Sequence, residues 1–165
     1  MKIDAILDPH NYMRYGDPSQ QPMSGPVIGS SDAKAAKTAQ FGAFFGELAK
    51  RFKDNEKVIF SIMNEPHDMP GSLVLANNQA AIDAIRAAGA KQMIMAPGNS
   101  WSGGHSWTQG GADASSSFMH KLRDPLNNTA MDIHEYLDKD FSGTSSQCVK
   151  DAPSNLKAVT AWLKV

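Results

Sequence analysis

A carboxylate that is to move a proton at a fixed place needs a rigid mount, and Asn64-Glu65-Pro66 has the makings of one. The triplet closes an apolar run over residues 58–63 that reads as a buried strand. Pro66 stiffens the turn that follows, and the Asn64 amide can hold a substrate hydroxyl beside the acid. Glu65 is thus a candidate general acid. The plainer alternative is a solvated loop carboxylate, which the buried run before it disfavours.

His10, His134 and Tyr136 form a second set, each just past a short apolar run. Alternation along a strand puts His134 and Tyr136 on one side and Glu135 on the other, so Glu135 should point away from any shared site. Each histidine by itself could be a packing or capping residue. A metal held by His10, His134 and Glu65 is an open alternative, although the chain has no His-x-His pair and no helical His-Glu-x-x-His to supply a compact site. Trp101 and Trp107 share a loop with Asn99, Ser102 and His105, a mixture of flat apolar faces and polar edges suited to sugar rings. Trp107 could equally be packed into its own loop. Met63, Met93, Met95 and Met131 lie in or beside strands and read as core filler.

The elements that carry these residues alternate. Residues 3–7 form the first strand, running into Asp8-Pro9-His10-Asn11-Tyr12, and residues 16–31 read as a Pro/Gly/Ser-rich loop. Asp32 is the expected N-cap of an amphipathic helix of about twenty residues, in which Phe41, Phe44, Phe45, Leu48 and Phe52 recur at helical spacing. The second strand, 58–63, is followed by a helix bearing Leu73, Leu75, Ile82 and Ile85 and capped by Gly89. A third strand at 92–95 leads into Pro97-Gly98-Asn99-Ser100-Trp101. A short helix is expected over 116–123, a fourth strand over 131–133, and a last helix bearing Leu156, Val159, Trp162 and Leu163. Strand and helix in alternation make a parallel α/β sheet, whose polar strand ends gather at one rim. No Gly-rich phosphate loop follows any strand, which favours a barrel over a dinucleotide-binding sheet.

Composition narrows the partners. The 165 residues carry 16 basic and 17 acidic side chains, a net charge of −1, so there is no surplus for tracking a phosphate backbone or an anionic membrane surface. No apolar run approaches the roughly 20 residues of a membrane span, and no signal peptide is recognisable at the start. The single cysteine, Cys148, lies in a Ser/Gly loop where exposure is expected, either as a free thiol or with a partner outside the chain. Asn127-Asn128-Thr129 is a chance-frequency glycosylation sequon.

Taken in order, Asp8-Pro9-His10-Asn11-Tyr12, Ile62-Met63-Asn64-Glu65-Pro66-His67-Asp68, Ala96-Pro97-Gly98-Asn99-Ser100-Trp101 and His134-Glu135-Tyr136-Leu137-Asp138 with Ser142-Gly143-Thr144 resemble the third to sixth strand ends of glycoside hydrolase family 5. The likeness is to fungal-type endo-β-1,4-glucanases and covers nearly the whole chain. It implies a (β/α)8 barrel of which residues 1–165 are the central part, about four parallel β/α units, and a retaining hydrolysis of β-glucan without cofactor or metal. It further implies that Glu65 is the acid/base, that Asn64 holds the sugar 2-hydroxyl, that His10, His134 and Tyr136 line the cleavage point, and that Trp101 belongs to the substrate cleft.

The sequence departs from the family where its nucleophile should be. The resemblance calls for a glutamate after a seventh strand, and neither Glu135 nor Asp138 stands at a matching position. A fragment with open sheet edges and little activity alone is therefore expected, with the partner of Cys148 also outside the chain. A non-catalytic carbohydrate-binding remnant, a β-mannanase and a metal-dependent barrel hydrolase stand as alternatives. Extracellular action is implied by the polymeric substrate alone.

Overall fold

The structure, a computed structural model, describes residues 3–16 and 25–164. Four strands, β1 (Ala5–Leu7), β2 (Val58–Ser61), β3 (Ile94–Pro97) and β4 (Thr129–Asp132), pair in chain order and all in parallel. Helices α1 (Thr38–Phe52) and α2 (Gly71–Ala87) make the first two crossovers. After β3 a long loop holds α3 (Ser115–Phe118), and α4 (Ala152–Asn155) and α5 (Lys157–Trp162) follow β4. The fold is α/β, a partial (β/α)8 barrel of four β/α units.

One face of the sheet is covered. Val58, Phe60 and Ile62 from β2 and its extension, with Ile94 and Ala96 from β3, are buried with Phe41, Phe45 and Ala49 of α1 and Val74, Ala81, Ile82 and Ile85 of α2. Removing each large apolar side chain from water stabilises the fold by about 2 kcal/mol. The alternate residues Ile59 and Met95 face the other way and are only half-buried. The two helices approach closely at Gly42, where a Cβ would sit 3.0 Å from the Ala80 carbonyl oxygen. On the outer edge, Ile3 and Ile6 stay more than half exposed, the open edge expected of β1.

Several boundaries differ from the expectation. Helix α1 has fifteen residues and starts after Lys37, whose N–H donates to Gln40 Oε1 at 2.8 Å. Asp32 is not its N-cap, because its carboxylate and carbonyl accept from the Lys34 and Ala35 amides in a separate turn. Strand β3 begins two residues later than 92–95: Gln92 is tied by its side chain to the Phe52 and Asn55 carbonyls, and Met93 is 43 % exposed rather than core. Strand β4 begins two residues earlier than 131–133. The 116–123 helix shortens to α3 and a 3-10 turn at Met119–Lys121, and the last helix divides at Leu156. Of the 16–31 loop, residues 17–24 lie outside the described residues.

At the opposite end of the sheet from Glu65, Arg86 grips Asp124 with two parallel hydrogen bonds of 2.8 Å, both side chains 5 % exposed. Arg86 also donates to the carbonyls of Ala90, Gln92 and Asn128, while Asp124 accepts from Leu126 N, Asn128 N and Thr129 Oγ1. These bonds, that to Arg86 first, hold the Asp124 pKa well below the carboxylate range despite desolvation. Its contribution is therefore complete above an unfolded pKa of about 3.9 and is lost as pH falls further. Asp124→Asn leaves a buried guanidinium short of its charge partner, and should cost about 3 kcal/mol in urea unfolding at neutral pH. A loss under about 1 kcal/mol would show that the pair does not anchor β4.

Candidate active site

Parallel register brings the C-terminal ends of β2 and β4 to one rim, and there Glu65 meets His134. Glu65 Oε1 lies 2.7 Å from His134 Nδ1, across 69 residues of chain. On the far side of the ring Asp132 Oδ1 is 3.5 Å from Nε2. Acceptors at both nitrogens favour the imidazolium: hydrogen bonding to Asp132, and after it to Glu65, raises the His134 pKa to about 9 against the opposing effect of desolvation. Glu65 Oε2 has no partner among the described residues.

The backbone at this rim is strained on purpose. Glu65 has φ of 43°, and Ser100, Trp101 and Ser102 all have φ between 52° and 57°. Left-handed conformations cost non-glycine residues about 1–2 kcal/mol each, so the surroundings must impose them. They do so through Ser102, whose Oγ accepts from Gly98 N at 2.8 Å and donates to Asp132 O at 2.5 Å, while Trp101 N donates to Pro66 O at 3.0 Å. His134 N in turn donates to Ser102 O, and Gly104 N to His134 O. The loop after β3 is thereby stitched to the ends of both β2 and β4.

A cleft of about 500 Å³ opens over these groups, lined by Tyr12, Glu65, Trp101, His105, His134, Tyr136 and Phe141 among others. Trp101 is 47 % exposed and rests one face on His67, rings 4.4 Å apart and 8° from parallel. Tyr136 is held by Gly143, whose missing Cβ would fall 2.5 Å from the tyrosine ring. Gly143 sits in a loop organised by Asp138, which is buried and accepts from Gly143 N, Ser145 N and Ser142 Oγ. Desolvation pushes the Asp138 pKa up, but these bonds outweigh it and leave it lowered.

Of the residues singled out from sequence, Glu65, Trp101, His134 and Tyr136 share the cleft. Asn64 is buried beside Glu65. His10 lies at the same rim but outside the cleft lining, bonded to Asp8 at 2.8 Å and edge-on to Tyr12. Trp107 is no sugar platform: it is fully buried against Trp162. Glu135 points away from Glu65 and accepts from His105 N and Asn155 Nδ2. Cys148 is exposed with a free thiol. Among the described residues no three His, Cys, Asp or Glu side chains converge to hold a metal, so His10, His134 and Glu65 do not form the ligand set considered above. No helix of the described residues is long and apolar enough to cross a membrane. Sequence reasoning named His105 beside the tryptophans but missed Asp132, His67 and Phe141. Asp132 was within reach, because it lies two residues before His134 on one strand face.

Four parallel β/α units thus place an acid, an imidazole and an exposed tryptophan at the C-terminal rim of one α/β sheet. The chain belongs to the cellulase family, glycosyl hydrolase family 5, whose model matches residues 1–165. It is 70% identical over 161 residues to Endoglucanase 1 of Robillarda sp., a match covering 97% of this chain and 42% of that protein. It is 44% identical over 163 residues to endo-β-1,4-glucanase A of Emericella nidulans, covering 97% and 44%. Among solved structures it resembles an endo-β-1,4-glucanase of Xanthomonas axonopodis pv. citri with a TM-score of 0.85 at 37% identity, covering 96% of this chain and 48% of the other. XacCel5A in complex with cellopentaose matches at 0.84 and 38%, with the same coverage. The chain thus spans less than half the length of these relatives.

The His134 pKa dictates a pH dependence. A histidine with its pKa raised on folding stabilises the fold fully below its unfolded value of about 6.5 and loses that contribution as pH rises toward about 9. NMR titration of the His134 ring should give a midpoint near 9 that moves down in both Asp132→Asn and Glu65→Gln. A midpoint near 6.5 in the parent chain would mean that neither carboxylate engages the ring.

Proposed function

We propose that this chain carries the acid/base side of a retaining endo-β-1,4-glucanase, residues 1–165 being the central part of its catalytic barrel. The observation that carries the reading is Glu65 at the end of β2, one oxygen engaged by His134 and the other free toward a cleft with an exposed tryptophan. In this mechanism Glu65 gives its proton to the glycosidic oxygen while a second carboxylate, about 5 Å away, attacks the anomeric carbon; Glu65 then takes a proton from the water that releases the sugar. Asn64 would hold the 2-hydroxyl, His134 and Tyr136 would line the cleavage point with His10 at its margin, and Trp101 would bear a pyranose face.

Two carboxylates that follow β4 are already engaged. Glu135 is bonded to His105 and Asn155, and Asp138 is buried holding its loop. The 165-residue chain alone is therefore proposed to bind β-glucan oligosaccharides with little or no turnover. Relatives named as endoglucanases support glucan over mannan, and a polymeric substrate supports extracellular action.

A chimera tests this. With this chain replacing the matched segment of the Robillarda endoglucanase, reducing sugar should be released from carboxymethylcellulose, and Glu65→Gln should lower kcat by roughly 10²–10⁴. A chimera that is folded and active but indifferent to Glu65→Gln removes Glu65 from the acid/base role. Turnover by the 165-residue chain itself, abolished in Glu65→Gln, would contradict the proposal that the nucleophile lies elsewhere.

A further inference from the structure

We infer that His67 is a positioning residue for Trp101: its imidazole is the plate against which the tryptophan ring is set flat toward the cleft. The inference rests on Trp101 acting as the sugar platform proposed above. His67 is 4 % exposed, and its ring is nearly coplanar with the Trp101 ring at 4.4 Å, covering one face while the other stays open. Backbone and ring are registered to the same short segment, since Trp101 N is bonded to the carbonyl of Pro66, the residue before His67.

His67 is itself fixed on every side. Its Nδ1 lies 2.7 Å from Asp68 Oδ2, and its Nε2 lies 3.5 Å from an Arg14 guanidinium nitrogen. Arginine can only donate, so in these contacts Nε2 takes the acceptor role toward Arg14 and Nδ1 the donor role toward Asp68. A second Arg14 nitrogen donates to the His67 carbonyl at 3.2 Å, and Tyr12 meets the ring edge-on at 5.5 Å. An exposed tryptophan free to change rotamer would lose that freedom on binding. One already clamped between a left-handed backbone and a buried ring has less to lose, and this is the physical gain assigned to His67.

The test compares His67→Phe, which keeps a flat ring, with His67→Leu, which keeps bulk but not planarity. Two readouts are taken on the 165-residue chain: acrylamide quenching of Trp101 emission without sugar, obtained by difference from Trp101→Phe, and calorimetric affinity for cellopentaose. His67→Leu should raise quenching of Trp101 and weaken binding roughly three- to tenfold, the range of one aromatic stack, while His67→Phe should stay within about twofold of the parent in both. If His67→Leu matches the parent in both readouts while Trp101→Ala binds weakly, the platform stands and the role of His67 is refuted. If the Leu and Phe variants weaken alike, the histidine serves as a hydrogen-bonding scaffold and the stacking role is refuted. If Trp101→Ala binds as well as the parent, the platform reading fails and the inference falls with it.

Discussion

The 2.7 Å contact between Glu65 and His134 exists because the sheet is parallel. In such a sheet every strand ends at the same rim, and Glu65, a few residues past the end of β2, meets His134, just past the end of β4, only if the registers Phe60 with Ile94 and Pro97 with Asp132 both hold. A slip of one residue in either pairing would turn the side chains beyond it to the opposite face. The register is secured away from the chemistry. Apolar residues of α1 and α2 bury one face of β2 and β3, and the Arg86–Asp124 pair pins the start of β4 to the end of α2. The structure thereby separates a stabilising end of the sheet from a working end, as barrel enzymes do.

Strain at the working end follows from that arrangement. Glu65 and the three residues Ser100, Trp101 and Ser102 adopt left-handed backbone that an isolated peptide would abandon. The turn at 100–102 is held in place by hydrogen bonds to Pro66 O, Asn99 O and His134 N. Ser102 is the clearest case, bridging Gly98 N and Asp132 O with one hydroxyl. Since Asp132 also faces His134, the turn that presents Trp101 and the imidazole that holds Glu65 share a support. Disturbing either would be felt by the other.

The parts legible in the sequence are those governed by periodicity and by strand ends. The phenylalanines of α1, the buried run of β2 and the cap at Gly89 state their roles locally, and the placement of Glu65, Trp101 and His134 follows once the sheet is known to be parallel. What was not legible depends on contacts between distant loops. Trp101 and Trp107 are six residues apart in one loop and alike in composition, yet one lies open on His67 and the other is sealed against Trp162. Nothing in their neighbours distinguishes them, because the difference is made by distant segments, the one at His67 and the one at Trp162. Asp32 failed as a cap for the opposite reason: its side chain found a nearer amide, at Lys34, before a helix could begin.

The carboxylates of the rim also show how position rather than residue type assigns work. Four of them, Glu65, Asp132, Glu135 and Asp138, lie within or just beyond two strand ends. Asp138 accepts three hydrogen bonds from its own loop and is buried, and Glu135 fastens the loop after β3 to the helical segment after β4. Asp132 faces the outer nitrogen of His134. Glu65 and Asp132 each keep an oxygen without a partner among the described residues, and of the four only Glu65 lines the cleft. A proton donor must be able to exchange its hydrogen-bond partner for the substrate at little cost, whereas a structural carboxylate is useful to the degree that it cannot. By that criterion Glu65, with one oxygen unengaged and its place in the cleft lining, fits the donor role proposed for it, while Glu135 and Asp138 hold the surfaces around it.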